Sequence, residues 1–430
     1  MIKLSNNKTT KKVAVNYGQR FTGNELKYLA EVLKSDLKSS ASGSMNQRFE
    51  KLFAKTMGVR YAIASTSGTA ALHQALAACG VGPGDEVIVS PLTVVMCGYA
   101  IFYVQARSVF ADVDLNTFLI DPVDIEKKIT PKTKAILVVN LYGQMGDLDK
   151  IMAVAKKHKI KVIEDCAQCY LARDGHGRIS GTIGDVGCFS LGETKMISSG
   201  EGGVVVTNNS ILADRIRKFG HLGFKNVSAE NTTVRRDPMI FQDPKYVRHD
   251  TFSYNYIMSE PTAAIALAQT EQINKFLNLR IKMAELYREA VGNCSWLIPQ
   301  QVYNNQTHAY WTFAVLYKGQ EKLGVSWYDF RDRFIGFGGD KVRAAWALLY
   351  NEPAIINLVS KGKYFVNAKE KQGKWGQRSN WRPRCPKAEY LQPRLMHFTT
   401  NQFSEKEMKQ QAQALQKTIQ YFNETCLSVK

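Results

Sequence analysis

Three short stretches carry residue types that do chemistry. "VIEDCAQCY", residues 162–170, ends an apolar run in two acids and then spaces Cys166 and Cys169 as Cys-x-x-Cys. Read alone, the cysteines suit a metal or redox pair, and Asp165 suits a functional carboxylate. A metal site wants a second pair of Cys or His ligands at similar spacing, and none is visible. A short thioredoxin-like unit around the pair is not visible either. "GCFSLGETKMISSGEGGVVVTN", residues 187–208, sets Lys195 between two apolar runs and ahead of a glycine-rich loop. A lone lysine in a turn is usually a surface charge. Held between buried strands, it is costly unless solvated, paired or covalently engaged, and desolvation makes its amine a competent Schiff-base nucleophile. "STSGTAAL", residues 65–72, places Ser67, Gly68 and Thr69 between a strand and a helix start. Glycine permits the tight turn, and the helix offers free N–H groups and a positive dipole end to a phosphate.

Singly these signals are weak, because Ser-Gly-Thr turns are common. Together they describe one requirement. A pyridoxal phosphate enzyme needs a lysine for the Schiff base, an acid on the ring nitrogen and donors for the phosphate. Lys195 follows Asp165 by thirty positions (195 minus 165), and the phosphate turn precedes both. In that combination Asp165 is the functional residue, the cysteines flank it, and no metal is expected.

The elements that must position these groups follow from periodicity. From residue 60, short apolar runs alternate with helical stretches. Strands are expected at 61–65, 87–90, 108–113, 135–140 and 161–165, with helices at 69–78, 95–105, from Asp121 and near 147–158. Such alternation implies parallel strands joined by crossovers, hence a three-layer α/β domain with ligands at the carboxyl ends of its strands. Before it, Leu26, Leu29 and Leu33 share one helical face, and Phe49, Leu52 and Phe53 another. After it, one long helix is expected from Ser259 to about Val291, then a strand at 308–317. A last helix opens with Ser404-x-x-Glu407 and carries Met408, Leu415, Ile419 and Phe422 inward. The expected organisation is a large α/β domain over 1–275 and a smaller α+β domain over 276–430.

The 430 residues are 45% hydrophobic and 22% charged, which is ordinary for a globular protein. The net charge of +19 favours anionic partners, and part of it lies between Lys361 and Arg394. That stretch reads either as a solvated basic loop or as a surface receiving a phosphorylated substrate. No helix-turn-helix or zinc-finger pattern supports a nucleic-acid partner. Lys3, Lys8, Lys11 and Lys12 precede no apolar signal core, no run of ~20 apolar residues suggests a membrane partner, and a cytoplasmic location is expected.

Six stretches in order resemble the DegT-type pyridoxal phosphate-dependent sugar aminotransferases, a family that includes perosamine-synthase-like and cyclitol aminotransferases. They are "FEKLFAKTMGVRYAIASTSGTAALHQAL", "GPGDEVIVSPLTVV", "ITPKTKAILVVNLYGQMGDLDKI", "KVIEDCAQ", "GDVGCFSLGETKMISSGEGGVVVTN" and "YNYIMSEPTAAIALAQTEQI". The resemblance is strong from about 45 to 275 and scattered after 300. It implies a Schiff base at Lys195, with Asp165 on the ring nitrogen and Gln168 on the ring hydroxyl. It places Ala167 on one ring face and Val94 at the stacking position. The phosphate falls to Ser190 and the backbone of Gly68 and Thr69. Asn255 would reach the phosphate of the neighbouring subunit's site, so a homodimer with shared active sites is implied.

The sequence departs from the family at Val94, where an aromatic residue is common, and at Ile257, where a basic residue often stands. The stretches 225–252 and 361–382 look like additions. Relatives that dehydrate sugars carry His at the lysine position, so Lys195 favours transamination. The implied activity moves an amino group, from L-glutamate or L-glutamine, to a keto-sugar linked to a nucleotide. A keto-cyclitol or other unphosphorylated ketone is the alternative, and an inactive homologue or a basic nucleic-acid-binding regulator the distant ones.

Overall fold

The computed structural model of the chain describes residues 20–37 (except 22), 44–230, 239, 242–360 and 384–427. Its larger sheet contains β1 (Tyr61–Ser65), β2 (Glu86–Val89), β3 (Arg107–Phe110), β4 (Thr133–Val139), β5 (Lys161–Asp165), β6 (Val186–Ser190) and β7 (Gly203–Thr207). Their order is β1-β7-β6-β5-β4-β2-β3. β7 runs antiparallel to β1 and β6, and the other pairings are parallel.

Side chains on a strand point alternately to opposite faces, and here both faces are buried. In β4, Ala135, Leu137 and Val139 join one hydrophobic core while Ile136 and Val138 join the other. The first core takes residues from the helices Gly68–Ala78, Val95–Tyr103 and Ser210–Gly220. The second takes them from the helices Ser44–Met57, Leu148–His158 and Glu260–Glu271. Two cores around one sheet make the three layers expected from the alternating pattern.

The second sheet, β8 (Leu297–Pro299), β9 (Thr312–Tyr317), β10 (Val342–Ala344) and β11 (Leu395–Thr399), has the order β10-β11-β9-β8 and is antiparallel throughout. The helix Ile273–Val291 joins the two parts. Ile273, Phe276 and Leu277 pack in the large sheet's second core, whereas Met283, Ala284, Tyr287 and Val291 pack under the second sheet. The last helix, Glu405–Leu427, closes that core with Met408, Leu415, Ile419 and Phe422. Ser404 and Glu407 exchange the two side-chain-to-backbone bonds of a capping box, at 3.1 and 3.3 Å.

Three sequence expectations differ from the structure. The helix Glu25–Lys34 buries Glu25, Tyr28 and Val32, leaving Leu26 54% and Leu33 67% exposed. Tyr28 wins the inner face because its hydroxyl reaches Glu271 at 2.5 Å. The long helix from Ser259 divides at Gln272 into Glu260–Glu271 and Ile273–Val291. The strand of 308–317 begins only at Thr312, because Ala309 bonds instead to Gly143 (2.7 Å) and Tyr310 adopts a left-handed φ of 44°. The stretch 361–382 and the tip of 225–252 lie outside the described residues. Of the basic stretch, Lys387 pairs with Asp121 (3.1 Å) and Arg394 with Glu321 (2.7 Å).

Candidate active site

Four strand ends converge. β1 leads into Thr66 and Ser67, β5 ends at Asp165, β6 ends at Ser190, and the antiparallel β7 begins there, with Gly203 between Ser65 and Ser190 in the sheet register. Glycine is required by close approach at two of these positions. A Cβ on Gly203 would lie 2.2 Å from the Ser67 carbonyl, and one on Gly68 would lie 2.6 Å from Ser190 Cβ. The turn is therefore a narrow cradle. Ser67 caps the helix Gly68–Ala78 by accepting from the Ala70 N–H (3.1 Å), and Thr69 stands in its first turn. Ser190 Oγ accepts from the Gly192 N–H at 3.4 Å, and the Ser190 carbonyl takes the Tyr170 hydroxyl.

Asp165 is buried, with Oδ1 accepting from the Ala167 N–H (2.9 Å) and Oδ2 accepting from the Cys97 thiol (3.2 Å). Burial raises its pKa, opposed by the Ala167 N–H, the Cys97 thiol and the charge of Lys195. Lys195 sits in the loop after β6, its N–H bonded to the Gly192 carbonyl (3.0 Å). Burial lowers its pKa, opposed first by Asp165. The acid and the amine thus lie within electrostatic reach of each other, each made less ready to carry charge by desolvation. Lys195 Nζ stands 5.1 Å from the centre of the Trp311 ring, which is itself tied by its indole N–H to the Thr194 carbonyl (3.0 Å). Arg20 braces the same loop from outside, donating to the carbonyls of Glu193 (2.7 Å) and Lys195 (2.9 Å).

Gln168 is buried, and its carbonyl accepts from the Tyr142 N–H (2.7 Å), so its NH2 is what it can offer a ring oxygen. Tyr142 holds φ at 64° to make that contact. Val94 caps the helix Val95–Tyr103 and packs against the first core. Asn255 stands apart. Its side chain is exposed and accepts from the Ile257 N–H (3.4 Å), while the neighbouring Tyr256 carbonyl accepts from the Thr66 N–H (3.1 Å) beside the phosphate turn. The chain therefore gathers Lys195, Asp165, Ala167, Gln168, Ser190, Gly68 and Thr69 around the strand ends, and presents Asn255 on the surface next to them.

The second acid, Glu164, points the other way. It is fully buried and accepts from the N–H groups of Gly181, Ile183 and Gly184 (2.8 to 2.9 Å), so it shapes a loop. Cys166 and Cys169 are buried, and burial pushes both thiols up. Among the described residues no three His, Cys, Asp or Glu side chains are grouped to hold a metal. Sequence reasoning missed Cys97, Trp311 and Arg20. None of them carries a local signal, since each comes from a different segment.

The donor set fits a phosphorylated pyridine aldehyde. It comprises a desolvated amine, a buried carboxylate, an amide for a ring oxygen, and a cradle of N–H groups too tight for any side chain.

Residues 19–338 match the DegT/DnrJ/EryC1/StrS aminotransferase family. The GDP-perosamine synthase of Escherichia coli O157:H7 is 37% identical over 306 residues, 71% of this chain and 78% of that protein. The L-glutamine:2-deoxy-scyllo-inosose aminotransferase of Streptoalloteichus tenebrarius is 39% identical over 243 residues, 56% of this chain and 55% of that protein. Among solved structures, an aminotransferase from Psychrobacter cryohalolentis superposes with a TM-score of 0.81 at 29% identity, covering 94% of this chain and 98% of that one.

Proposed function

This chain belongs to the DegT/DnrJ/EryC1/StrS aminotransferase family, and from that premise we propose that it carries the amino group of L-glutamate to the carbonyl carbon of a nucleotide-linked keto-sugar. It is a pyridoxal phosphate-dependent aminotransferase. When bound, the cofactor supplies a ring that withdraws electrons from the substrate carbon. In our reading Lys195 Nζ would hold the cofactor and would move the proton at the reacting carbon of the substrate. Asp165 would keep the ring nitrogen protonated, its carboxylate being held by the Ala167 N–H and the Cys97 thiol. Gln168 would donate to the ring oxygen, while Gly68, Thr69 and Ser190 would take the phosphate. Burial around Lys195 keeps its amine readier to lose a proton than an exposed one.

The observation that carries the chemistry is the desolvated Lys195 amine in electrostatic reach of the buried Asp165. The sugar is supported by the GDP-perosamine synthase likeness, which covers most of that relative. A keto-cyclitol acceptor is the second reading, favoured by the slightly higher identity to the inosose aminotransferase over a shorter span. Turnover with L-glutamate against nucleotide-linked ketosugars and free inososes separates the two. Preference for a free inosose would reject the first.

We further propose a homodimer in the cytoplasm. Phe252 (86% exposed), Tyr254, Tyr103 and Met96 are exposed apolar side chains beside the Thr66–Thr69 turn and Asn255, a kind of surface that marks association. Sedimentation at micromolar concentration should give twice the chain mass, and a monomer would reject the shared site. No described helix is long and apolar enough to cross a membrane.

A further inference from the structure

Beside Lys195 lies a cavity of about 840 Å³ that the chemistry above leaves unexplained. One wall is flat and aromatic. Trp311 and Trp346 stack with ring centres 5.8 Å apart and planes at 23°, and Trp346 continues onto Tyr142 at 6.4 Å and 18°. Trp311 is the ring over which Lys195 Nζ stands, so a molecule lying along this wall has one end at the reacting amine.

Two buried polar atoms in the same cavity have no hydrogen-bond partner among the described residues. His397, 3% exposed on β11, leaves Nε2 unpaired, and Gln402, 8% exposed, leaves Oε1 unpaired while its NH2 donates to Thr399 (2.9 Å). Buried polar groups left unpaired cost about 1–3 kcal/mol each, and in native proteins they call for an explanation. Burial keeps the His397 imidazole neutral, with Arg343 adding to the effect. A neutral imidazole nitrogen either donates or accepts, and a hydroxyl can answer both, whereas the Gln402 carbonyl needs a donor. Arg20, Arg280 and Arg343 stand around the cavity as its cations. Arg280 is spent on the carbonyls of Tyr310 and Trp311 and on Thr400.

We propose that this cavity is the acceptor subsite, holding the hydroxyl-bearing ring of the ketone flat against Trp346, with His397 Nε2 and Gln402 Oε1 bonded to ring hydroxyls. The proposal rests on the keto-sugar reading and makes Trp346, His397 and Gln402 specificity-determining residues. Flat apolar walls with a few convergent polar groups are the ordinary construction of small-molecule sites. A site built to bond hydroxyls rejects molecules that lack them, because its own buried groups then stay unpaired. L-Glutamate has neither ring nor hydroxyl, so the same three residues should matter little to the donor.

The two half-reactions can be watched separately in the holoenzyme. L-Glutamate alone changes the cofactor's absorbance, and GDP-, dTDP- and UDP-linked 4-keto-6-deoxyhexoses are then tested for restoring it. With the best of these, Trp346→Ala, His397→Phe and Gln402→Leu should each lower kcat/KM of the return step about tenfold or more, mainly through KM. Trp346→Phe should keep most of it. The glutamate step should change less than about threefold in all four, which also shows that they fold. If wild-type holoenzyme ignores L-glutamate and L-glutamine, the aminotransfer reading falls. If it reacts with the donor but with no ketosugar, the sugar reading falls, and this subsite with it. If wild type works and the variants return at the wild-type rate, or slow both steps equally, the subsite alone is overturned.

Discussion

Around Lys195 the seven-stranded sheet contributes the ends of its strands, whereas the four-stranded sheet and its loops contribute side chains gathered from far apart. Asp165, Ser190 and the Ser67–Thr69 turn are where they are because parallel strands all finish on one edge. The glycines at 68 and 203 let neighbouring backbones close to within a few ångströms. His397, Trp346, Gln402 and Trp311 meet only because β11 pairs with both β9 and β10. One region therefore fixes a reaction through backbone geometry, and the other fixes a preference through side-chain packing. The two meet at Trp311, whose indole N–H holds the Thr194 carbonyl beside Lys195.

That division can be broken by substitution. The largest effect belongs to Lys195→Ala, which should reduce turnover at least about a thousandfold, on the scale of losing a group that both tethers and transfers protons. A ketosugar amination rate near wild type would remove the reaction from this edge of the sheet. Asp165→Asn should retain the cofactor and lower kcat about a hundredfold in both half-reactions alike, because an amide does not hold the ring proton. An effect confined to the acceptor step would erase the distinction between the regions.

A third substitution sharpens the comparison from the side of stability. Arg217 and Glu50 form a buried bidentate pair at 2.6 and 2.7 Å, and Glu50 also takes the Ala64 N–H at 2.8 Å. Removing one partner of such a pair costs about 3–5 kcal/mol, so Arg217→Ala should lower the urea midpoint markedly. Acceptor preference in the surviving folded fraction should stay as in wild type. The smallest effect is expected for Cys166→Ala with Cys169→Ala, about 1 kcal/mol each, with unchanged metal content by elemental analysis. Loss of a bound metal would restore the reading that sequence spacing alone allows.

The same contrast explains what could be read before folding. β5 and β7 fall where their apolar runs end, at Asp165 and Thr207, because a strand buried on both faces shows as an unbroken apolar run. The helix starts expected from Asp121, near 147 and from Ser259 fall where Asp121, Asp147 and Ser259 accept the first free N–H groups. The Leu26-Leu29-Leu33 stripe misled because the buried face was chosen by Tyr28 and its bond to Glu271, a partner 243 residues away. Cys97 could not be found, since nothing in an apolar helix says that one thiol will meet a carboxylate on another strand. Trp346 and His397 were equally silent. The strand 308–317 was overextended because Tyr310 turns away through a left-handed conformation that the sequence does not announce.

The central claim is that one small ring lies between Lys195 and Asp165. Borohydride reduction of the holoenzyme, followed by peptide mass mapping, tests it directly. A single stable adduct is expected on the peptide containing Lys195, absent from Lys195→Ala. An adduct on any other lysine, or one that persists in that variant, would contradict it.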